Sequence, residues 1–364
     1  MSRTAALFIL LFSARPFAWG GAGSDALPFL KLDAGARGAA LSGAYCAAGG
    51  DALSVFYNPA GTALAKKKEI LLGHNEWLEG IRNETLAYVH PLGPRLTAFG
   101  GINALFSGSM DKYDSVGDKT GVFSSMEGAV SAGLSGSFGD GYYGGAAVKV
   151  LSQQAAGEKA MAWAGDAGLL KVRGGWRLGV SAANIGGRLK FGSRSFAPPL
   201  MLRAGISNNV FNNLTVSVEE VKAGASGAAA AAGAEWRLQA GPKEYFFLRA
   251  GYKTGRSRYA GPGYTAGIGL TNRDLSVDYA FAPYGELGAA HRVTAAFKFG
   301  APRPEEFKRQ PYIGLPKPLL KQQAAPEPEK IQEKKKADGK AKKKESGKTK
   351  KKTEKVPSEV YFMW

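Results

Sequence analysis

Cysteine is almost absent: Cys46 stands alone in 364 residues. That excludes a disulfide framework and any cysteine-built metal centre. Histidine is scarce too, at three residues far apart in the chain, so neither a metal cluster nor a cofactor site is expected. Long apolar runs are missing. Mean hydropathy is −0.18, and no stretch reaches the about twenty apolar residues that a membrane-spanning helix needs. Glycine, by contrast, is abundant: fifty residues, about twice the usual share.

The formal net charge of +18 invites a nucleic-acid reading, and its distribution removes that reading. From Ala301 onward there are eighteen basic and nine acidic residues, a net of +9. Thirteen lysines fall between Lys330 and Lys355, among them the triplets Lys334, Lys335, Lys336, then Lys342, Lys343, Lys344, then Lys350, Lys351, Lys352. This proline- and lysine-rich stretch, 301–364, cannot bury enough apolar surface to offset the entropy of ordering it. It reads as a disordered tail without the interleaved aromatics of a nucleic-acid binder. At the other end, Arg3 precedes an uninterrupted apolar core, Ala5–Phe12, and then small residues near 18–23. Residues 1–22 therefore read as a secretory signal peptide, too short to span a bilayer.

Between Lys68 and Gly300 the recurring unit is a segment of about ten residues with alternate positions apolar. In RDLSVDYAF, Leu275, Val277, Tyr279 and Phe281 oppose Asp274, Ser276 and Asp278; in NLTVSVE, Leu214, Val216 and Val218 oppose Thr215, Ser217 and Glu219. That is the period of a strand with one apolar and one polar face. It predicts fourteen strands, near 68–74, 81–90, 96–106, 122–136, 142–151, 160–171, 176–186, 199–207, 213–221, 230–239, 244–253, 263–272, 273–281 and 290–299. The connections alternate between tight turns (91–95, 137–141, 173–175, 208–212, 240–243, 271–274) and longer loops, among them 107–121, 152–159 and 187–198. An even strand count with short turns at one end and long loops at the other is the pattern of an outer-membrane barrel.

A soluble secreted all-β protein would also alternate, but with its apolar face inward. Against it stands the polar face, where Asp166, Arg203, Glu219, Glu235, Arg237, Arg249, Asp278, Arg292 and Lys298 mix both signs. In a membrane barrel they line the lumen and pair with one another, which favours a filled or narrow interior. The outward face meets outer-membrane lipid, with Trp163, Trp236, Tyr252, Tyr264 and Tyr245 or Phe246 as interfacial aromatics.

Residues 23–66 do not fit the strand series. Small residues dominate, and two short helices near 34–47 and 59–65 are predicted. Asp33 is placed as an N-cap, and Pro59, after Asn58, at a first helical position. Such a segment packs closely inside a barrel as a hatch; an arm across the periplasmic rim is the alternative.

The motifs FLKLDAGARGAALSGAYCAAGGDALSVFYNPAGTAL (29–64), HNEWLEGIRNETLAYVHPL (74–92), GDAGLL (165–170), NIGG (184–187), LRAGI (202–206), GAEW (233–236), LRAGY (248–252) and DYAFAPYGELGAAHRVTAAFKF (278–299) resemble the PorV/PorQ family of outer-membrane proteins. That family is related to the FadL-type transport barrels. Asp33, Arg37, Asp51 and Asn58–Pro59–Ala60 carry the hatch part of the likeness, the last three matching an NPA motif of the FadL-like group. The resemblance implies a fourteen-stranded barrel with an N-terminal hatch. It also implies a non-enzymatic role with secretion-system or cargo proteins of the type IX kind, in the outer membrane; an exported N-terminus together with the alternation of tight turns and long loops places both termini in the periplasm. Two further functions follow: FadL-like passage of hydrophobic or small solutes, and a structural barrel tethered to the cell wall through its basic tail.

Overall fold

The computed structural model describes residues 25–255 and 261–303. The expected signal peptide and the lysine-rich stretch lie outside the described residues. Fourteen antiparallel strands close into a barrel in simple chain order. They are β1 (Lys68–Glu76), β2 (Arg82–Pro91), β3 (Leu96–Phe106), β4 (Ser125–Gly139), β5 (Tyr142–Ala155), β6 (Glu158–Arg173) and β7 (Trp176–Ile185), followed by β8 (Met201–Phe211), β9 (Leu214–Ala223), β10 (Ala228–Gly241), β11 (Glu244–Lys253), β12 (Tyr264–Asn272), β13 (Leu275–Pro283) and β14 (Ala289–Phe299). The barrel closes where β1 pairs with β14, from Lys68 opposite Phe299 to Glu76 opposite His291.

The burial pattern is inverted relative to a soluble sandwich. On β14, Arg292 and Thr294 are buried while Val293 and Phe297 are exposed. On β6, Asp166 is buried and Trp163 is 70% exposed. Because successive side chains point to opposite faces, the large exposed apolar residues lie mainly on the outward face and most buried polar residues on the inward one. Trp163, Tyr252 and Tyr264 are exposed toward the long-loop ends of their strands, and Tyr88, Tyr142 and Trp176 toward the short-turn ends. Water would penalise this outward face, and lipid does not; the wall spans a membrane.

The periodicity places strand centres well and underestimates strand length on one side. The connection expected at 152–159 is a two-residue turn at Ala156 and Gly157, both with positive φ, because β5 and β6 run on past the apolar band as a paired hairpin. The loops at 107–124 and 186–200 likewise hold short hairpins, Met110–Tyr113 with Lys119–Phe123 and Leu189–Phe191 with Arg194–Phe196.

Residues 25–66 fill the lumen. The helix expected at 34–47 is reduced to one turn, α1 (Ala36–Ala40), followed by 3₁₀ turns at Ala52–Phe56 and Pro59–Leu64. Asp33 does not cap it: Gly35, at φ 63° and pressed against Leu53, occupies that position without a side-chain cap. Asn58 does cap, accepting from Ala60 N at 3.1 Å, and Pro59 opens its turn.

The first described residues lie at the long-loop rim. Ala26 N donates to Ala197 O at 2.9 Å, and Lys31 reaches Ser226; both partners belong to long loops. From there the chain threads the barrel and leaves at the opposite rim, where Lys67 pairs with Asp274 of a short turn at 2.7 Å. A hatch that traverses the lumen must start at the rim opposite its first strand.

Candidate functional site

The site is the contact between hatch and wall. It begins with glycine. Gly101, Gly145, Gly168, Gly179, Gly233, Gly251 and Gly267 face the lumen on seven different strands, and the hatch passes each of them closely. A Cβ on Gly179 would lie 2.6 Å from Cys46 O, on Gly145 2.6 Å from the Pro59 carbonyl carbon, and on Gly251 2.5 Å from the Leu41 carbonyl carbon. On Gly168 it would run into Asn58 Oδ1. Hatch backbone therefore lies almost against wall backbone, closer than any side chain permits.

Charge then fixes the hatch in register. Arg37, on α1, donates through Nε and Nη2 to the two carboxylate oxygens of Glu235 on β10, both at 2.8 Å, and through Nη1 to Asp51 at 2.8 Å. Such fork-to-fork contacts add geometric specificity to the ion pair. Glu235 also accepts from Arg249 Nε at 2.6 Å, and Arg249 Nη1 donates to Asp278 at 2.7 Å. Burial pushes the Tyr45 phenol well above its ordinary range, so it stays protonated and donates to Asp51 at 2.6 Å. One hatch arginine thus joins a hatch carboxylate and a hatch phenol to Glu235 of the wall, and through it to Arg249 and Asp278.

A second tie lies beside it. Arg203 pairs with Glu219 at 2.7 Å, and the other Glu219 oxygen accepts the backbone N–H groups of Tyr45 and Cys46 at 2.9 and 2.7 Å. Asn58 Nδ2 donates to Cys46 O and Leu169 O. A third group sits in the wall. Asp166 occupies a bulge between β6 and β7, where it accepts from Asn184 N at 2.8 Å and pairs with Lys149 at 2.7 Å. That explains two sequence motifs at once, since GDAGLL and NIGG meet here.

Of the lumen-parity residues named from sequence, Asp166, Arg203, Glu219, Glu235, Arg249 and Arg292 are buried and Asp278 and Lys298 half-buried. Arg237 is exposed at the short-turn mouth, donating to Asn212 O. Asp33 lies 3.9 Å from Lys253. Sequence reasoning missed Tyr45, Lys149 and Thr62, which meets Ser135 at 2.6 Å; nothing local distinguishes them. It also missed Arg303, just past β14. Its backbone N–H donates to Lys66 O at 2.6 Å and its guanidinium to Ala63 O at 2.8 Å and to Thr97 Oγ1, pinning the hatch exit from below.

At the long-loop mouth an apolar cap completes the seal. Leu27 and Phe29 are buried against Leu105, Leu151 and Leu189, with Phe191 and Phe196 packed on them. Between cap and hatch remains a void of about 30 Å³, lined by Leu30, Leu32, Phe56, Asn103, Met201 and Arg203.

His74, His90 and His291 all lie on the outward parity of their strands. Among the described residues no group of three His, Cys, Asp or Glu side chains has metal-binding placement. Burial pushes the Cys46 thiol up to about 12, helped by Glu219, so it stays a protonated, unreactive thiol. A maleimide at neutral pH is expected to leave Cys46 unlabelled in the folded barrel and to label it fully after denaturation. Rapid labelling of the folded protein would show a hatch that leaves the lumen freely.

A family model described as an uncharacterised protein family, UPF0164, matches residues 21–167, the hatch together with β1–β5 and most of β6. No curated protein matches. Among solved structures, the Ralstonia pickettii toluene transporter TbuX is similar with a TM-score of 0.53 at 14% identity, covering 74% of this chain and 100% of that one. A Pseudomonas aeruginosa FadL homologue follows at a TM-score of 0.48 and 12% identity, covering 69% of this chain and 95% of that one. What the chain shares with TbuX is the fold, a closed antiparallel barrel.

Proposed function

We propose that the protein passes small hydrophobic solutes across the outer membrane through a lumen gated by its hatch, with the long-loop rim outside. The observation that carries this reading is the way the lumen is closed. A separable segment closes it, packed on glycine and held by ion pairs, while the wall itself contributes no large plugging side chain at those glycine positions. Ion pairs and backbone contacts can be exchanged without breaking the barrel, whereas a side-chain-filled core cannot. The apolar cap formed by Leu27, Phe29, Phe191 and Phe196 supplies a first contact for an apolar solute. The fold shared with a toluene transporter agrees with that solute class.

This reading is favoured over handover of secreted proteins, the role that likeness to PorV implied. A gate leaving a void of about 30 Å³ matters only for something small that goes through it. In this orientation Phe299 ends the barrel on the periplasmic side, so the lysines beyond it would meet anionic cell-wall polymer rather than the cell exterior.

The test locks the gate. Thr62 Oγ1 and Ser135 Oγ lie 2.6 Å apart, one on the hatch and one on β4. The double variant T62C/S135C, oxidised, is expected to lose at least nine-tenths of toluene uptake in cells and to regain it on reduction. Equal uptake in the oxidised and reduced states would refute hatch gating.

A further inference from the structure

The hatch leaves the lumen at the short-turn mouth, where it is held on two sides. On one, Lys67 pairs with Asp274 at 2.7 Å, a cation matched by a carboxylate. On the other stands Arg303, just past β14. Its backbone N–H donates to Lys66 O at 2.6 Å, and its guanidinium donates to Ala63 O at 2.8 Å and to Leu96 O and Thr97 Oγ1 on β3. Ala63 belongs to the last hatch turn, Pro59–Leu64. The final carbonyls of a helical turn lack partners within it, and basic side chains near its end commonly supply them; here the donor comes from 240 positions away. Pro302 and Pro304 flank Arg303, so its backbone has little freedom to carry the side chain elsewhere. The acceptors of its guanidinium are neutral, and among the described residues no carboxylate pairs with it. The residue is only half-buried, so a ligand in the mouth can reach it.

We propose that Arg303 is an anion-sensitive latch on the gate, and that its ligand is an anionic polymer brought to the mouth by the lysine-rich tail. A guanidinium fork takes the two oxygens of a carboxylate or phosphate together, a better match than separate carbonyl oxygens. An anion that reaches Arg303 therefore competes with the hatch for it, whereas Lys67 is already paired. One exposed fork holds a free ion weakly in salt, and the tail supplies what the fork lacks. Thirteen lysines against four acids between Lys330 and Lys355 bind a polyanion at many points. A polymer held there is concentrated at the mouth, because tail and Arg303 are covalently joined. Once the guanidinium is exchanged, Ala63 O loses its donor and the last hatch turn is free to loosen. The wall beside it stays bonded, from Lys68–Phe299 to Glu76–His291. The latch deepens the hatch-gated reading and rests on it for the consequence in transport: contact with polymer on the periplasmic side opens the exit.

The test is amide hydrogen exchange in the full-length protein in detergent, with poly-L-glutamate as the polymer and free glutamate as control. R303Q is expected to speed exchange across 60–67 at least tenfold and to leave the wall strands unchanged. Poly-L-glutamate is expected to do the same to the unaltered protein and to add nothing in R303Q. Replacing the nine lysines of the three triplets by glutamine is expected to raise the polymer concentration needed at least tenfold. Retained heat-modifiable migration on gels shows that each variant is folded. Slow exchange in folded R303Q, or no response of the unaltered protein to polymer, would overturn the proposal. So would an undiminished response without the triplets, or an equal response to free glutamate at the same carboxylate concentration. The gating reading fails separately: equal toluene uptake by oxidised and reduced T62C/S135C refutes it and leaves these exchange rates standing.

Discussion

Replacing Glu235 by alanine is expected to open the barrel. Glu235 is the single carboxylate between two guanidiniums, accepting from the half-buried Arg37 at 2.8 Å and from the buried Arg249 at 2.6 Å. Its removal leaves Arg249 with Asp278 and Arg37 with Asp51, but nothing joins α1 to β10. Breaking a buried pair from one side costs about 3–5 kcal/mol, because a desolvated cation remains. Two cations would then face one another without a screen. The cost is concentrated on the hatch, since the β10–β11 ladder is backbone-bonded from Ala231–Lys253 to Gly241–Glu244. The barrel is expected to survive while the hatch detaches. Single-channel recordings in planar bilayers should show low conductance for the unaltered protein and frequent large openings for E235A. E235Q, which keeps the shape and loses the charge, should fall between them. If E235A conducts like the unaltered protein and resists urea equally, the ion-pair tie does not hold the gate.

The second large effect is expected from a single methyl group. In G251A the new Cβ would meet Leu41 C at 2.5 Å and Ser42 N at 2.6 Å. Both are hatch backbone atoms and cannot rotate aside as a side chain tip would. G179A meets Cys46 O at 2.6 Å in the same way. Overpacking usually costs about 1–3 kcal/mol; here the hatch must withdraw from the wall along its length, so the effect belongs at the upper end. The double variant G179A/G251A is expected to expose the hatch to proteolysis within 25–66 while the barrel stays intact. G128A is the control, because a Cβ there meets nothing within 4 Å. If G128A and G179A/G251A are cleaved alike, close approach is not what the lumen glycines provide.

These two sites differ in how far they can be read from the chain. Glu235 carries a local signal: it alternates with Ala234 and Trp236 on a strand, and parity alone turns it inward. Its partner carries none. Arg37 is 198 positions away, and no periodicity links a one-turn helix to a strand that far along the chain. Gly251 is legible only as an unusually small residue on a polar face. That it must be glycine follows from Leu41, which the sequence does not place. The Asp33 cap failed for a related reason. A local rule named the best side chain near a helix start, while packing of Gly35 on Leu53 decided where the turn begins.

What the sequence by itself determined is the wall: fourteen strands, their order, the short-turn and long-loop ends, and which face of each strand turns inward. These follow from a period of two and from turn residues, which are properties of neighbours in the chain, so local reading reaches them. Only the tertiary structure decided how the lumen is closed. It shows that the hatch enters at the long-loop rim and leaves at the other, that Arg37 finds Glu235, and that seven glycines make room. Those outcomes depend on side chains brought together from opposite ends of the chain by barrel closure, and no local pattern records them. Glycine, the residue the chain has in excess, belongs to both accounts: in the turns it serves the local path of the chain, and in the lumen it is where another segment has to fit.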